Sequence, residues 1–215
     1  MADVAVIDYG VGNLLSVQRG FERCGASVTV TADPRSLLAA PRVVLPGVGA
    51  FRNAMEELQR RHLARVLGAV ADTGRPLLGI CLGMQMLFDE SEELGLTEGL
   101  GLIAGRVVPV PDHSAEGEPQ KVPHIGWSDL QPAPGSQSWD GTLLRDVEPG
   151  ESVYFVHSFM AEPRDPAHRI ADHLRGGHRI ASVIGCGNVW GCQFHPEKSG
   201  EVGLRVLRAF CELQA

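Results

Sequence analysis

Two periodicities alternate along the first half of the chain. Val4 to Asp8 is a continuous apolar run closed by a carboxylate and reads as a buried strand. Leu14, Val17, Phe21 and Cys24 then recur at helical spacing behind Asn13, a favoured N-cap. Ser27 to Thr31 and Arg42 to Leu45 read as the second and third strands. After Pro46-Gly47-Val48-Gly49, one long helical pattern runs through Phe51, Met55, Leu58, Leu63, Val66 and Val70 to a stop at Gly74. Pro76 to Ile80 is a fourth strand, followed by a helix from Leu82 to Asp89. Strand and helix in this alternation predict a parallel sheet, because parallel neighbours need a connection long enough to return across the sheet.

The character changes after Gly99. Gly101 to Val110, Gln120 to Leu130 and Ser152 to Met160 read as short strands separated by Pro/Gly/Ser-rich loops, of which Gln131 to Gly141 is the loosest. Ala181 to Ile184 and Val189 to Phe194 flank Gly185-Cys186-Gly187-Asn188 and predict a hairpin. A final helix from Glu201 to Leu213 carries Val202, Val206, Leu207 and Phe210 as its inward stripe. The expected fold is α/β: three layers, with an open, mostly parallel sheet covered by helices on both faces and an antiparallel extension in the second half. No repeat, linker or boundary interrupts it, so residues 1–215 read as a single domain.

Composition narrows the partners. The 44% apolar and 21% charged fractions are those of a globular protein, and no apolar run reaches the length of a membrane span. Met1-Ala2-Asp3 leads directly into the first strand without a basic and apolar leader, which predicts a cytoplasmic protein. A formal net charge of -7 without a dense Lys/Arg cluster disfavours nucleic acid. The five cysteines (Cys24, Cys81, Cys186, Cys192, Cys211) include no C-x-x-C pair, so they suggest neither a disulfide framework nor a zinc knuckle. Most are expected to be reduced and buried: Cys24 and Cys211 on apolar helix faces, Cys192 alternating with Trp190 and Phe194.

Cys81 differs. It stands between Gly79 and Gly83 where the fourth strand gives way to a helix, at the rim where open α/β sheets bind ligands. Flanking glycines leave room for strand and helix to close on each other, as in the G-x-S-x-G turn that presents a nucleophilic serine. The helix that follows would direct its free NH groups toward the sulfur. A base is available in Gly191-Cys192-Gln193-Phe194-His195-Pro196-Glu197, where His195 and Glu197, two apart, face the same way if the segment is extended. Together these make a Cys-His-Glu triad. Among the remaining histidines, His62 sits in a charged helical stretch and His113, His168, His173 and His178 in polar segments expected to be exposed; no pair has zinc-ligand spacing. Pro46-Gly47-Val48-Gly49 would lie at the same rim, with glycine freedom to turn a backbone NH toward an oxyanion alongside the NH of Leu82.

These residues resemble the class I (triad) glutamine amidotransferases, and within them the glutaminase subunits of imidazole glycerol phosphate synthase. The resemblance runs almost end to end: DYGVGNL (8–14), LPGVGAF (45–51), GICLGMQMLF (79–88) with SEE (91–93), KVPHIGW (121–127), YFVHSF (154–159) and QFHPEKSG (193–200). GxCxG and HPE mark the superfamily; PGVG, VPHIGW and FHPEKS narrow it to that synthase. The resemblance implies a flavodoxin-like glutamine amidotransferase fold and glutamine as substrate, with no cofactor or metal. It implies that Cys81 attacks the carboxamide, His195 transfers protons, Glu197 orients His195, and Val48, Gly49 and Leu82 form the oxyanion hole. Gln85, Glu93, Ser158 and Phe159 match positions that hold the amino-acid end of glutamine, Phe159 standing where some relatives have tyrosine. Trp127, Tyr154 and Lys198, with Asn13 nearby, match a contact with a (β/α)₈ cyclase subunit. That cyclase would receive the ammonia to make imidazole glycerol phosphate and an aminoimidazole carboxamide ribotide in histidine biosynthesis.

No phosphate-binding motif is present: Gly10-Val11-Gly12 has Leu15 where a dinucleotide loop needs glycine, and there is no Walker lysine. Three rivals remain at this stage. They are the glutaminase of another synthase such as pyridoxal phosphate synthase, where GGES is expected in place of PGVG; a γ-glutamyl peptidase; and a non-catalytic redox module built on a low-pKa thiol.

Overall fold

The run Val4–Ile7 forms strand β1, and its side chains part to the two sides of a sheet. Val4 and Val6 enter a core with Phe21 and Phe210, Ala5 and Ile7 one with Leu37, Leu58 and Leu67. A computed structural model describes residues 2–136 and 138–213. After β1 come α1 (Leu14–Arg23), β2 (Val28–Thr31), α2 (Pro34–Ala39), β3 (Val43–Gly47), α3 (Phe51–Arg60), α4 (Leu63–Asp72), β4 (Leu77–Cys81) and the single turn α5 (Leu82–Gln85). The second half holds β5 (Phe88–Ser91), β6 (Thr97–Glu98), β7 (Ile103–Pro109), β8 (His124–Asp129), β9 (Gln131–Pro132), β10 (Ser152–His157), β11 (Phe159–Pro163), β12 (Arg169–Arg175), β13 (His178–Cys186), β14 (Val189–Cys192) and α6 (Gly200–Glu212).

The central sheet has eight strands in the order β2-β1-β3-β4-β14-β13-β12-β9. From β2 to β14 every neighbour is parallel, and from β14 outward the pairing is antiparallel, which is the expected α/β layout with its antiparallel extension. Strands β11-β7-β5-β6 form a second sheet, and β10 pairs with β8 in a third. The register at the centre positions the chemistry. Gly47 pairs with Cys81 and Cys192 with Ile80, so the carboxyl ends of β3, β4 and β14 meet at one rim. Among the described residues no helix is long and apolar enough to cross a membrane.

Several elements depart from the sequence expectation, each for a definable reason. The long helix over Phe51 to Gly74 is two helices broken at His62, which adopts φ +59°. Leu58 and Leu63 are five apart, so an unbroken helix would swing the second stripe about 140° off the first. The helix expected from Leu82 to Asp89 stops after one turn, because Phe88 pairs with Ile103 in the second sheet. Ser152 to Met160 is not one strand: the chain leaves β10 at Ser158 and joins β7 as β11. Helix α2, capped by the Asp33 carboxylate on the Ser36 NH at 3.0 Å, and the buried strand β12 were not anticipated. In the loose loop, Gln131–Pro132 adds the edge strand β9, and Gln137 lies outside the described residues. All five cysteines are free, but only Cys81 and Cys192 are buried; Cys24, Cys186 and Cys211 are half-buried.

The glycines around Cys81 follow from packing. A Cβ on Gly79 would stand 2.6 Å from the Gly83 carbonyl oxygen, and one on Gly83 would overlap the Leu45 carbonyl of β3. Both obstacles are backbone, which has no rotamer to yield. Gly83→Ala should therefore lower unfolding free energy by about 3 kcal/mol. Urea titration of the two proteins measures this, and an unchanged midpoint would show that α5 can lift away from β3.

Candidate active site

Cys81 ends β4 with φ +55° and ψ -113°, a conformation in which a non-glycine residue costs about 1–3 kcal/mol. The strain aims the side chain away from strand and helix, into a cavity of about 280 Å³. Because α5 is only four residues long, its macrodipole is small, and what the turn offers the site is its unpaired NH groups rather than a long helix's field.

His195 arrives from the other end of the chain, three residues beyond β14 and beside β4. Its Nδ1–H donates to Glu197 Oε1 at 2.8 Å, with the two side chains 4% and 1% exposed. The pair does not lie along an extended strand: Pro196–Lys198 form a 3₁₀ turn that folds Glu197 back under the ring. Backbone bonds fix the segment, since the His195 NH donates to the Tyr154 carbonyl at 3.0 Å and the Ser199 hydroxyl to the His195 carbonyl at 2.7 Å. Nε2 makes no hydrogen bond and faces the cavity that Cys81 also lines. Burial alone would depress the imidazole pKa, but the nearby Cys81 sulfur and the Glu197 carboxylate outweigh it and raise the pKa to about 9.

The same cavity is lined by Val48, Gly49 and Leu82 and by Gln85, Glu93, Ser158 and Phe159. Gly49 has φ +93°, Val48 is 41% exposed, and the preceding Pro46 carbonyl is held by the buried Tyr9 hydroxyl at 2.9 Å. Gln85 is buried, its amide donating to the Phe159 carbonyl and to Gln193 Oε1, both at 2.9 Å. Glu93 accepts the Phe51 NH at the start of α3 at 2.7 Å, which fixes its carboxylate at the rim. Ser158 and Phe159 reach the cavity because the chain changes sheets there. Glu197 stands behind His195 and outside the lining.

Four lining or supporting residues were not foreseen: Pro123, Val156, His157 and the fully buried Gln193. Gln193 had a signal in the sequence, being a polar residue in an apolar strand two positions before His195 and therefore on the same side. His173, expected to be exposed, is fully buried and stacks on His124 at 5.0 Å, with His157 edge-on to both. Burial lowers the pKa of all three, to about 4 for His124 and His157 and about 2 for His173. His124 uses both ring nitrogens, one toward Ser128 and one toward the Arg175 guanidinium at 2.7 Å, so a metal cation there would have to displace a cation already in place.

Trp127 and Tyr154 are cross-strand partners on β8 and β10, with rings at 6.0 Å. Trp127 is 56% exposed, Lys198 and the helix-capping Asn13 are exposed, and Ile125 beside Trp127 adds a second bare apolar side chain.

A strained cysteine at a strand–turn, an imidazole–carboxylate pair from beside the neighbouring parallel strand and the exposed Val48–Gly49 segment meet at one cavity on the rim of an α/β sheet. Residues 5–212 match the family model of class-I glutamine amidotransferases. Imidazole glycerol phosphate synthase subunit HisH 1 of Legionella pneumophila strain Lens is 49% identical over 213 residues, covering 99% of this chain and 100% of that protein. The HisH subunit of Geobacter metallireducens is 47% identical over 211 residues, 98% of both chains. A crystal structure of a glutamine amidotransferase superposes with a TM-score of 0.72 at 16% identity over 98% of this chain and 100% of that one. PurLQS from Thermotoga maritima gives 0.71 at 19% over 98% of each; at these identities the likeness concerns the fold. The chain belongs to the class-I glutamine amidotransferases, as a member of the HisH family of enzyme subunits.

The His195 environment sets a pH dependence. Its folded-state pKa is raised from 6.5 to about 9, so the stabilisation is complete below about pH 6.5 and is lost as pH climbs through about 9. The difference in urea midpoint between the parent chain and His195→Gln should narrow across that window. A constant difference would mean that the imidazole gains no proton affinity on folding.

Proposed function

We propose that this chain hydrolyses glutamine through Cys81, His195 and Glu197 and passes the ammonia to a (β/α)₈ cyclase subunit with which it forms a heterodimer. The observation that carries the reading is the meeting of Cys81 and His195 on one cavity, with Glu197 bonded to the far side of the imidazole. In the proposed sequence the Cys81 thiolate adds to the side-chain carboxamide carbon, a C–S bond forms, and the carbonyl π electrons move to oxygen. Backbone NH groups of the Val48–Gly49 segment and of Leu82 receive that oxyanion. The imidazolium of His195 gives its proton to the leaving nitrogen as the C–N bond breaks, leaving a thioester and ammonia. Neutral His195 then takes a proton from water, hydroxide adds to the thioester, and collapse breaks the C–S bond to return thiolate and glutamate.

Gln85, Glu93, Ser158 and Phe159 would hold the substrate's amino-acid end, the Glu93 carboxylate suiting an ammonium. The cavity is sized for one amino acid. The exposed Trp127–Tyr154 pair, with Ile125, Lys198 and Asn13, supports a docking face for the cyclase. The HisH names of the relatives support histidine biosynthesis as the setting, with imidazole glycerol phosphate and an aminoimidazole carboxamide ribotide as the cyclase products. A redox-sensing module has no use for the Glu197-oriented imidazole beside the sulfur.

The oxyanion segment is exposed while the thiol and imidazole are buried, so we place the control of activity there: the isolated chain should be nearly inactive until partner and acceptor turn the Val48 peptide into position. Glutamate release from glutamine, followed with a cognate cyclase, tests the reading. Cys81→Ala should reduce it to background and Glu197→Gln should lower kcat about a hundredfold. Omitting the cyclase should cost about 10² to 10³, the worth of one oxyanion donor. Release that survives Cys81→Ala would overturn the assignment.

A further inference from the structure

Beneath the cavity lies a chain of amides whose orientation is forced from one end. The Phe159 carbonyl can only accept a hydrogen bond, so the Gln85 group bonded to it at 2.9 Å is the NH₂. That same NH₂ donates to Gln193 at 2.9 Å, which makes the Gln193 atom facing it the carbonyl oxygen. The Gln193 NH₂ is thereby turned the other way, onto Cys81 Sγ at 3.8 Å. Gln193 is fully buried, and the register explains its place: Cys192 pairs with Ile80, so the next residue on each strand is Gln193 and Cys81. Besides the imidazole, the sulfur also meets the Val156 carbonyl at 3.7 Å, which accepts from a thiol and offers nothing to a thiolate. The two neighbours therefore favour opposite protonation states.

We propose that Gln193 is a positioning residue for the reaction: its amide N–H is aimed at the Cys81 sulfur so as to stabilise the thiolate, with Gln85 and the Phe159 carbonyl holding it in that orientation. The inference rests on the reading of Cys81 as the nucleophile. It adds a donor from β14 to the imidazole that the same segment supplies. A hydrogen bond to the charged form of an acid favours ionisation, and a buried amide with no competing water loses little of that effect to solvent.

The test reads the sulfur directly. In the full-length chain, the rate of carboxamidomethylation of Cys81 by iodoacetamide is followed against pH, the modified residue being identified by peptide mass spectrometry. Gln193→Met, which fills the space without a donor, should slow the reaction about tenfold at neutral pH and move the inflection up by about one pH unit. Gln85→Met cuts the amide chain and frees the Gln193 amide to turn while keeping its N–H, and should move the inflection upward by clearly less than Gln193→Met does. A Gln193→Met profile that superposes on the parent's overturns the inference, as does an equal shift in Gln85→Met, which would trace the effect to loosened packing. If Gln193→Met does not fold, Gln193→Glu, read where the carboxyl is ionised, should move the inflection further upward; no movement overturns it. Because alkylation needs no glutamine, its outcome is separate from the glutamate-release assay. Loss of release in Cys81→Ala with an unmoved Gln193→Met profile removes this inference alone, and release that persists in Cys81→Ala removes the underlying reading.

Discussion

The parallel pairing of β14 with β4 is the contact on which the site depends. Cys81 lies in the first half of the chain and His195 near its end, more than a hundred residues later, and no local preference brings them together. What does is a short ladder, Val189 to Leu77 through Cys192 to Ile80, that sets the C-terminal segment beside β4 and the cysteine at its end. A slip by one residue would turn Gln193 and His195 to the opposite face and bring Cys192 and Phe194 out of the core. Burial resists the slip: Cys192 and Phe194 are fully buried against Phe155 and Phe210, and each such side chain is worth about 1.5–3 kcal/mol out of water.

Around that ladder the backbone gives way to the side chains that do chemistry. Cys81 holds a positive φ that only a tightly determined turn sustains, and the determination comes from Gly83 lying against the Leu45 carbonyl and Gly79 against the turn itself. On the next strand the Tyr9 hydroxyl fixes the Pro46 carbonyl, after which burial ends: Val48 and Gly49 are exposed where the residues before them are buried. The site thus joins two buried partners to one exposed segment.

Much of this was legible in the order of residues. Alternation of period and a glycine-flanked cysteine at a strand end identify the α/β rim; the two-residue spacing of His195 and Glu197 points to their meeting, but a 3₁₀ turn rather than an extended strand brings it about. The break at His62, where one long helix is expected, leaves a signal in the five-residue step from Leu58 to Leu63. Other features depend on partners remote in sequence. Phe88 is a strand because Ile103 lies beside it, the turn at Ser158 exists because β7 and β8 belong to different sheets, and His173 is buried because Phe155 and His124 cover it. The polar, histidine-bearing segment 168–178 carries no trace of those neighbours in its own composition.

The division between buried and exposed parts bears on where regulation can act. A free cysteine of pKa about 8.5 is a few per cent thiolate at neutral pH, so complete ionisation gains at most roughly 30-fold, about 2 kcal/mol. One oxyanion donor is worth about 10² to 10³, roughly 3–4 kcal/mol. On the proposed reading, the smaller lever is assembled from buried groups: His195 clamped by Glu197, by the Tyr154 carbonyl and by Ser199, and Gln193 clamped by Gln85. Changing it would mean repacking the core. On the same reading, the larger lever sits on the exposed Val48–Gly49 segment beyond β3, where glycine tolerates a positive φ. On the proposed reading, a poised thiol with a displaced oxyanion donor waits at little risk to glutamine, and a single peptide rotation under a docked partner recovers more rate than any adjustment of the sulfur.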